Sequence, residues 1–267
     1  MTLAQHTDYR IRFQQQLDNA RDHILPFIEK CLPVVPELRI MDIGCGEGGV
    51  LIPFLEKGCS AVGVELDELK SGYARQLLAS RIEAGKVEIV NQNIYEEAAL
   101  ERFRGQFDLI ILKDVIEHIP NQEKFIPYLN QFLKPGGFVF FGFPPWYMPH
   151  GGHQQVCRSK FLSMLPWFHL LPNPLYTGIL KLSNEYPAVI RELLENKSTG
   201  ISIERFEKIA LKSGFQIRER ILFLINPIYQ QKFGLKPRKQ WGFVAAIPWL
   251  RDFFSTCAYY IIQTGRE

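Results

Sequence analysis

The sequence predicts an α/β fold, a mostly parallel sheet with helices on both faces, and three observations carry that expectation. Short apolar runs of strand type alternate with runs of helical period from residue 38 to residue 143. The strand-type runs are almost unbroken in apolar character, as in "LIIL" (109–112) and "FVFF" (138–141), which suits parallel strands buried on both faces. The first of them ends in a glycine-rich loop, "DIGCGEGG" (42–49), that leads into a helical pattern.

Taken in order, Ile11, Leu17, Ile24, Phe27 and Ile28 recur at helical spacing within 8–30, where Pro26 is expected to kink or break the helix. Strand 38–43, helix 48–57, strand 60–65, helix 68–84 and strand 86–91 follow. Strand 107–112, helix 121–133, the turn "KPGG" and strand 138–143 continue the alternation. Regularity stops at 144–200, which is rich in proline and aromatics ("PPWYMPHGGH", "LPWFHLLPNPLY") and ends in a polar helix. A segment of that length inside a domain is more often a lid or binding element than a plain connection. A helix opening at a Ser202 cap, "SIERFEKIALKSGF", and the strand "QIRERILFL" resume the core. A second insertion at 225–249 carries Lys232, Lys236, Arg238 and Lys239 among aromatics, and "CAYYIIQ" reads as the last strand. The expected divisions are therefore a helical segment at 1–37, a ligand-binding core at 38–143, the insertion 144–200, and the rest of the core at 201–267. No internal repeat is present.

A chain of 267 residues can bury a large core. Its 31 basic and 28 acidic side chains leave a net charge of +3, far from the concentrated positive field of a dedicated nucleic-acid binder. Five widely spaced cysteines without a C-x-x-C pair argue against a disulfide framework or a zinc knuckle and fit a reducing cytoplasm. "MTLAQHTDYRIRFQQQLD" has no apolar stretch of signal-peptide type. "ILFLI" and "GFVAAIPWL" fall far short of the about 20 residues needed to span a bilayer. A cytoplasmic, soluble protein is expected, with peripheral membrane contact left open.

The glycine loop satisfies two patterns at once. Gly44 to Gly49 reads G-x-G-x-x-G, the dinucleotide signature, and the same residues read D-x-G-x-G-x-G from Asp42. Either way, backbone amides and a positive helix end lie beside a ligand, and Glu65, about 20 positions on, suits ribose hydroxyls. Asp42 separates the readings. Its carboxylate disfavours a pyrophosphate and suits cationic groups such as the sulfonium and ammonium of S-adenosylmethionine.

With "MDIGCGEGG", Glu65, "VEIVNQNI", "FDLIILKDVIEHI" and "FLKPGGFVFFGFP" in this order, residues 38–143 resemble the class I S-adenosylmethionine-dependent methyltransferases. The resemblance implies a Rossmann-like seven-stranded sheet whose last strand, "CAYYIIQ", is antiparallel. It implies that Gly44, Gly46 and Gly48 line the methionine part of the cofactor, with Asp42 and Cys45 also in the cofactor-binding set, that Glu65 takes the ribose hydroxyls and that Leu66 packs on the adenine. Asn93 stands where the family often has Asp and keeps an acceptor for the adenine amino group without the charge. The backbone of Ile94 and of Lys113 would complete the pocket.

Enzymes that methylate amino groups of nucleic-acid bases typically carry [DN]-P-P-[FYW] after the fourth strand. Here "FPPW" (143–146) follows the fifth, which argues against a nucleic-acid substrate. "DVIEH" resembles the E-V-x-E-H of small-molecule methyltransferases, including the ubiquinone O-methyltransferase relatives. That implies O-methylation of an aromatic or lipid-like acceptor. Trp146, Tyr147, Trp167, Phe168 and Tyr176 are candidates to line its pocket, with a satellite core beneath the loops as the alternative. "KFGLKPRK" is a candidate for an acidic headgroup or anionic membrane, with a solvated loop as the alternative.

His118 and His153 are the candidate bases, because an O-methylation must remove the hydroxyl proton and imidazole titrates near neutrality. A wider set, Asp114, Glu117, His118 and His153, is similar to carboxylate and histidine sets that hold a divalent metal in some relatives. Asp114 shortens the reach of the more usual Glu, and no metal is assigned. The rival functions are an NAD(P)-dependent oxidoreductase and a catalytically silent S-adenosylmethionine-binding partner subunit.

Overall fold

The computed structural model describes residues 8–265, so the first seven residues of the polar amino terminus and the last two residues lie outside the description. Its strands are β1 (Arg39–Ile43), β2 (Ser60–Glu65), β3 (Val87–Asn91), β4 (Phe107–Lys113), β5 (Leu133–Phe143), β6 (Gln216–Ile225), β7 (Arg238–Lys239) and β8 (Cys257–Gln263). They form one sheet in the order β3-β2-β1-β4-β5-β8-β6-β7. The first five strands pair in parallel, and β8 inserts antiparallel between β5 and β6.

The strand count is eight, not the expected seven. The additional strand, β7, is a two-residue edge piece in the second insertion that pairs antiparallel with Phe223 and Ile225 of β6. "RK" carries no strand pattern of its own, so this element exists only because the β6 edge offers it hydrogen bonds.

One local expectation is also corrected. "KPGG" is not a turn ahead of the fifth strand but an excursion within it. Phe107 pairs with Leu133 and Leu109 with Phe138, so Lys134 to Gly137 are looped out of the ladder, with Gly136 at φ +74°. Of the two outcomes expected at Pro26, the helix is not broken there but is distorted into a π turn just ahead of it. Tyr9–Asn19 passes through a π-helical turn, Ala20–Ile24, into Leu25–Ile28, and the wider turn accommodates the missing amide and the ring of Pro26.

Because side chains alternate along a strand, the sheet has two apolar faces. Met41, Ile43, Ile110, Leu112 and Phe141 pack against Phe125 and Phe206 on one side. Ile40, Leu109, Ile111, Phe140 and Tyr259 pack against Ile24, Phe27 and Phe54 on the other. The amino-terminal helical layer thus covers the face that carries Asp42 to the strand end.

The segment after β5 is more helical than its composition indicates. It contains Lys160–Met164, Asn173–Leu182 and Pro187–Thr199, and these close on a small core of their own. Phe168 and Tyr176, expected as pocket candidates, are buried in that core. The satellite-core alternative holds for these two rings. The helix Ile203–Lys212 begins as expected, with Ser202 Oγ accepting from Arg205 N at 3.1 Å. Among the described residues, no helix is long and apolar enough to cross a membrane.

Candidate active site

At the carboxyl end of β1 the chain makes a turn that only glycine tolerates well. Gly44, Gly46 and Gly48 have φ of +72°, +55° and +85°. At Gly44 a side chain would also be blocked, since a Cβ there would lie 2.5 Å from Val115 Cγ2. The loop is held from both sides. Gly44 N and Cys45 N donate to Val64 O, and Gly46 N donates to Glu65 Oε2 at 2.8 Å. From the leading helix, Gln16 donates to Glu47 Oε2 at 2.9 Å and accepts from Gly49 N at 3.0 Å, and Arg12 Nε donates to Glu47 Oε1 at 2.7 Å.

This loop, with Asp42, Glu65, Lys70, Lys113, Asp114 and Ile228, surrounds a cleft of ≈ 240 Å³. Asp42 is buried and its Oδ2 has no hydrogen-bond partner. Burial first, and the nearby Glu65 carboxylate second, hold its carboxyl well above the usual range. A cationic ligand group would offset both causes, and the orphaned oxygen can accept from it. Glu65 is tethered at both oxygens, through Gly46 N and through Asp67 N at 2.9 Å, which fixes the carboxylate at the rim. Lys113 is buried and ion-paired with Asp114. Burial opposes its charge, but the Asp114 carboxylate holds its pKa above that of an ordinary lysine.

Not every expected residue meets in this cleft. Asp42, Gly44, Cys45, Gly46, Glu65 and Lys113 do. Gly48 faces Leu78, whose Cδ1 would sit 2.7 Å from an added Cβ. Leu66 is 67% exposed beside it, and Asn91 Nδ2 ties its carbonyl to that of Glu65. Asn93 spends its side-chain oxygen on Tyr95 N, while Ile94 buries its side chain and accepts from Tyr128 OH.

A second, smaller cavity of ≈ 20 Å³ is lined by the segment that follows β4, which gives Asp114 to the first cleft and Glu117 to this one. Glu117, Pro144, Trp146, His153, Asn196 and Gly200 are among its walls. Asp114 and His153 adopt left-handed backbone, φ +56° and +57°, and so turn their segments sharply at the strand ends. His153, a wall of this cavity, meets His118, which is not among its walls, with ring centroids 4.7 Å apart. His118 Nδ1 lies 3.0 Å from Asn196 Oδ1; in the tautomer that carries its proton on Nδ1 it donates to that oxygen and leaves Nε2 free to accept. Burial lowers the pKa of both histidines, that of His153 to about 4 with a further push from His118. Burial, and then the Asp114 carboxylate, raise Glu117 to about 8, and its Oε2 has no partner.

Ligand atoms of Glu117, His118 and His153 lie within 4.8 Å of one another, a spacing that also suits a divalent cation. Asp114, the fourth residue of the wider set, stands outside that cluster and pairs with Lys113 instead. Trp146 is fixed by its backbone amide, which donates to Ile201 O at 2.9 Å, and by Gly200, where a Cβ would fall 2.2 Å from the indole. Asn196, Gln16, Arg12 and Glu47 carried no signal of a role in the sequence. Their partners lie far along the chain, apart from the acid placed inside the glycine motif.

Residues 13–169, more than half of the chain, match the family described as methyltransferase domain. The ubiquinone biosynthesis O-methyltransferase of Leptothrix cholodnii is 28% identical over 116 residues, 43% of this chain and 48% of that protein. The enzyme of the same name from Paracidovorax citrulli is 33% identical over 103 residues, 39% of this chain and 42% of its own length. The chain thus spans less than half the length of these curated relatives. Among solved structures, geranyl diphosphate C-methyltransferase from Streptomyces coelicolor aligns with a TM-score of 0.55 at 13% identity, covering 91% of this chain and 79% of that one. Magnesium protoporphyrin IX methyltransferase from Synechocystis aligns at 0.52 and 15%, covering 95% and 80%. At such identities these two speak for the fold alone. On the family match, supported by that fold, the chain belongs to the methyltransferase-domain family.

Proposed function

We propose that the protein is a cytoplasmic S-adenosylmethionine-dependent methyltransferase that acts on the hydroxyl group of a small aromatic or lipid-like molecule. The observation that carries this reading is a pair of pockets lined by neighbouring residues of the segment after β4. One holds a buried carboxylate with an orphaned oxygen beside a glycine loop, and the other is walled by His153, whose ring centroid lies 4.7 Å from that of His118. Asp42 and the loop would receive the cationic methionine end, Glu65 the ribose, and exposed Leu66 one face of the adenine. A dinucleotide would bring a pyrophosphate to a buried carboxylate, so the oxidoreductase alternative is disfavoured. All five cysteines are free, in keeping with a reducing compartment.

When bound, S-adenosylmethionine supplies the methyl group from its sulfonium. The chain's part is to bind, orient and deprotonate the acceptor. His118, with Nδ1 anchored on Asn196, would offer Nε2 as the acceptor of the hydroxyl proton, and His153, a wall of the second cavity, packs against it. The cavity has room for about one water, so admitting a larger acceptor requires the 144–200 segment to open, which fits a lid that excludes water when closed. Peripheral contact with a membrane belongs to the same reading of a lipid-like acceptor.

A second arrangement is favoured by the 4.8 Å cluster: Glu117, His118 and His153 would hold a divalent cation, which would supply Lewis-acid polarisation of the acceptor oxygen. The test is methyl transfer from labelled S-adenosylmethionine to a panel of phenolic and lipid-phenolic acceptors, with and without chelator. Transfer that survives chelation and fails in His118→Ala supports the base. Loss on chelation with recovery on added Mg²⁺ supports the cation, and the absence of transfer to every acceptor favours the silent partner subunit.

A further inference from the structure

From Arg220 to Arg251 the chain carries no acidic residue, and its basic residues include Lys236, Arg238 and Lys239, all exposed. Immediately after them, "WGFVAAIPWL" (241–250) has no charge at all. Such a stretch would ordinarily be core. Here Trp241, Phe243, Ile247, Trp249 and Leu250 are 57%, 70%, 46%, 59% and 40% exposed. Scattered exposed apolar residues need no explanation, but five within ten residues, two of them tryptophan, do.

The stretch is not loose. Gln240 N donates to Leu222 O at 2.8 Å, and Val244 is the one buried apolar anchor of the short helix Gly242–Ala245. Trp249 N donates to Glu204 Oε1 at 2.8 Å, and the buried Arg251 bonds Glu204 and Glu207. With the backbone pinned beneath, the large rings are held outward, and Trp241 stacks on Phe243 with planes 6° apart. A rigid support that presents exposed aromatic rings, preceded in the chain by three exposed cations, has the two chemistries that a bilayer surface reads. Rings seat at the headgroup level, and lysine and arginine are attracted to anionic lipid.

We propose that residues 236–250 form a docking surface for the face of an anionic phospholipid bilayer. The surface stands on its own exposure and charge, independently of the role given to the histidines. It is also coupled to the site. Asp252, two residues beyond it, accepts from Tyr147 N and from Ile203 N at 2.7 Å, and Phe253 stacks on Tyr147 beside the second cavity. Ile228, in the helix Ile228–Phe233 ahead of it, lines the first cleft. Docking there would bring the pocket mouths to the lipid phase from which a lipid-like acceptor comes.

The experiment is vesicle flotation of the full chain with phosphatidylcholine alone and with added phosphatidylglycerol, at low and high salt, alongside tryptophan quenching by brominated lipid. The expected result is salt-sensitive binding to the anionic vesicles. Lys236→Glu/Arg238→Glu/Lys239→Glu should weaken it by roughly 10-fold or more. Trp241→Ser/Phe243→Ser/Trp249→Ser should abolish both binding and the Trp241 and Trp249 share of the quenching. Unfolding temperatures of both variants guard against misfolding, and Phe243→Ser alone, at the most exposed ring, provides a milder check. Equal binding to neutral and anionic vesicles, binding unaffected by the apolar substitutions, or a concentration-dependent dimer that those substitutions dissolve would overturn the proposal, the last in favour of a second copy of the chain.

Discussion

His118 and His153 meet with ring centroids 4.7 Å apart and planes inclined at 63°, although one follows the fourth strand and the other lies beyond the fifth. Parallel pairing of β4 with β5 sets this proximity. It puts Lys113 opposite Gly142, so that both segments leave the sheet at the same end. Replacing either histidine with Ala should lower turnover by roughly 100-fold or more while leaving S-adenosylmethionine binding unchanged. Near-wild-type turnover in both single variants would remove the pair from the chemistry.

Burial lowers the His118 pKa, so the imidazole stays neutral, and able to take a proton, at lower pH than a free one. The acid limb of kcat/KM should accordingly fall below about 6.5, the unperturbed value. Asn196→Asp places a carboxylate against Nδ1 and favours the imidazolium, so the limb should move to higher pH. Asn196→Ala should lower kcat without that upward shift. A profile identical to wild type in both variants would leave Asn196 with no part in orienting His118.

Glu65→Ala should weaken S-adenosylmethionine binding by on the order of 1 to 3 kcal/mol, measured by calorimetry. It should also lower the unfolding temperature, because Gly46 N and Asp67 N each lose their acceptor. Unchanged affinity would take Glu65 out of the site, and tighter binding of NAD than of S-adenosylmethionine would overturn the cofactor assignment.

Gly49 approaches the leading helix so closely that a Cβ would lie 2.3 Å from Phe13 O and 2.8 Å from Gln16 Cβ. Gly49→Ala should therefore push the helix off the loop, costing about 1 to 3 kcal/mol of stability as an overpacked site. Arg12→Ala should loosen the same clamp without a clash. If Gly49→Ala melts like wild type, the helix yields freely and does not order the loop.

The alternation of strand and helix was readable because burial on both faces leaves each parallel strand almost wholly apolar, and that pattern survives in a single sequence. Asp42, the loop glycines and Glu65 were readable for a related reason: strand ends and a left-handed turn constrain which residue types can stand there. The edge strand β7 was not legible, because its two residues become a strand only through the partner that β6 supplies. Nor was the fate of the aromatics after β5. The same composition serves a pocket wall at Trp146 and a buried satellite core at Phe168 and Tyr176, and only packing separates the two.

By itself, then, the sequence determined the sheet, the glycine loop and the two carboxylates beside it, since each depends on neighbours within a strand or a turn. Tertiary structure alone decided that Asn196 meets Nδ1 of His118, that Glu117 rather than Asp114 joins the two histidines, and that Gln16 and Arg12 brace the loop through Glu47. Apart from the adjacent Glu117 and His118, those relationships join segments far apart in the chain. Their energies come from burial and from single hydrogen bonds made only when the sheet brings the segments together, and no local pattern of residues records them.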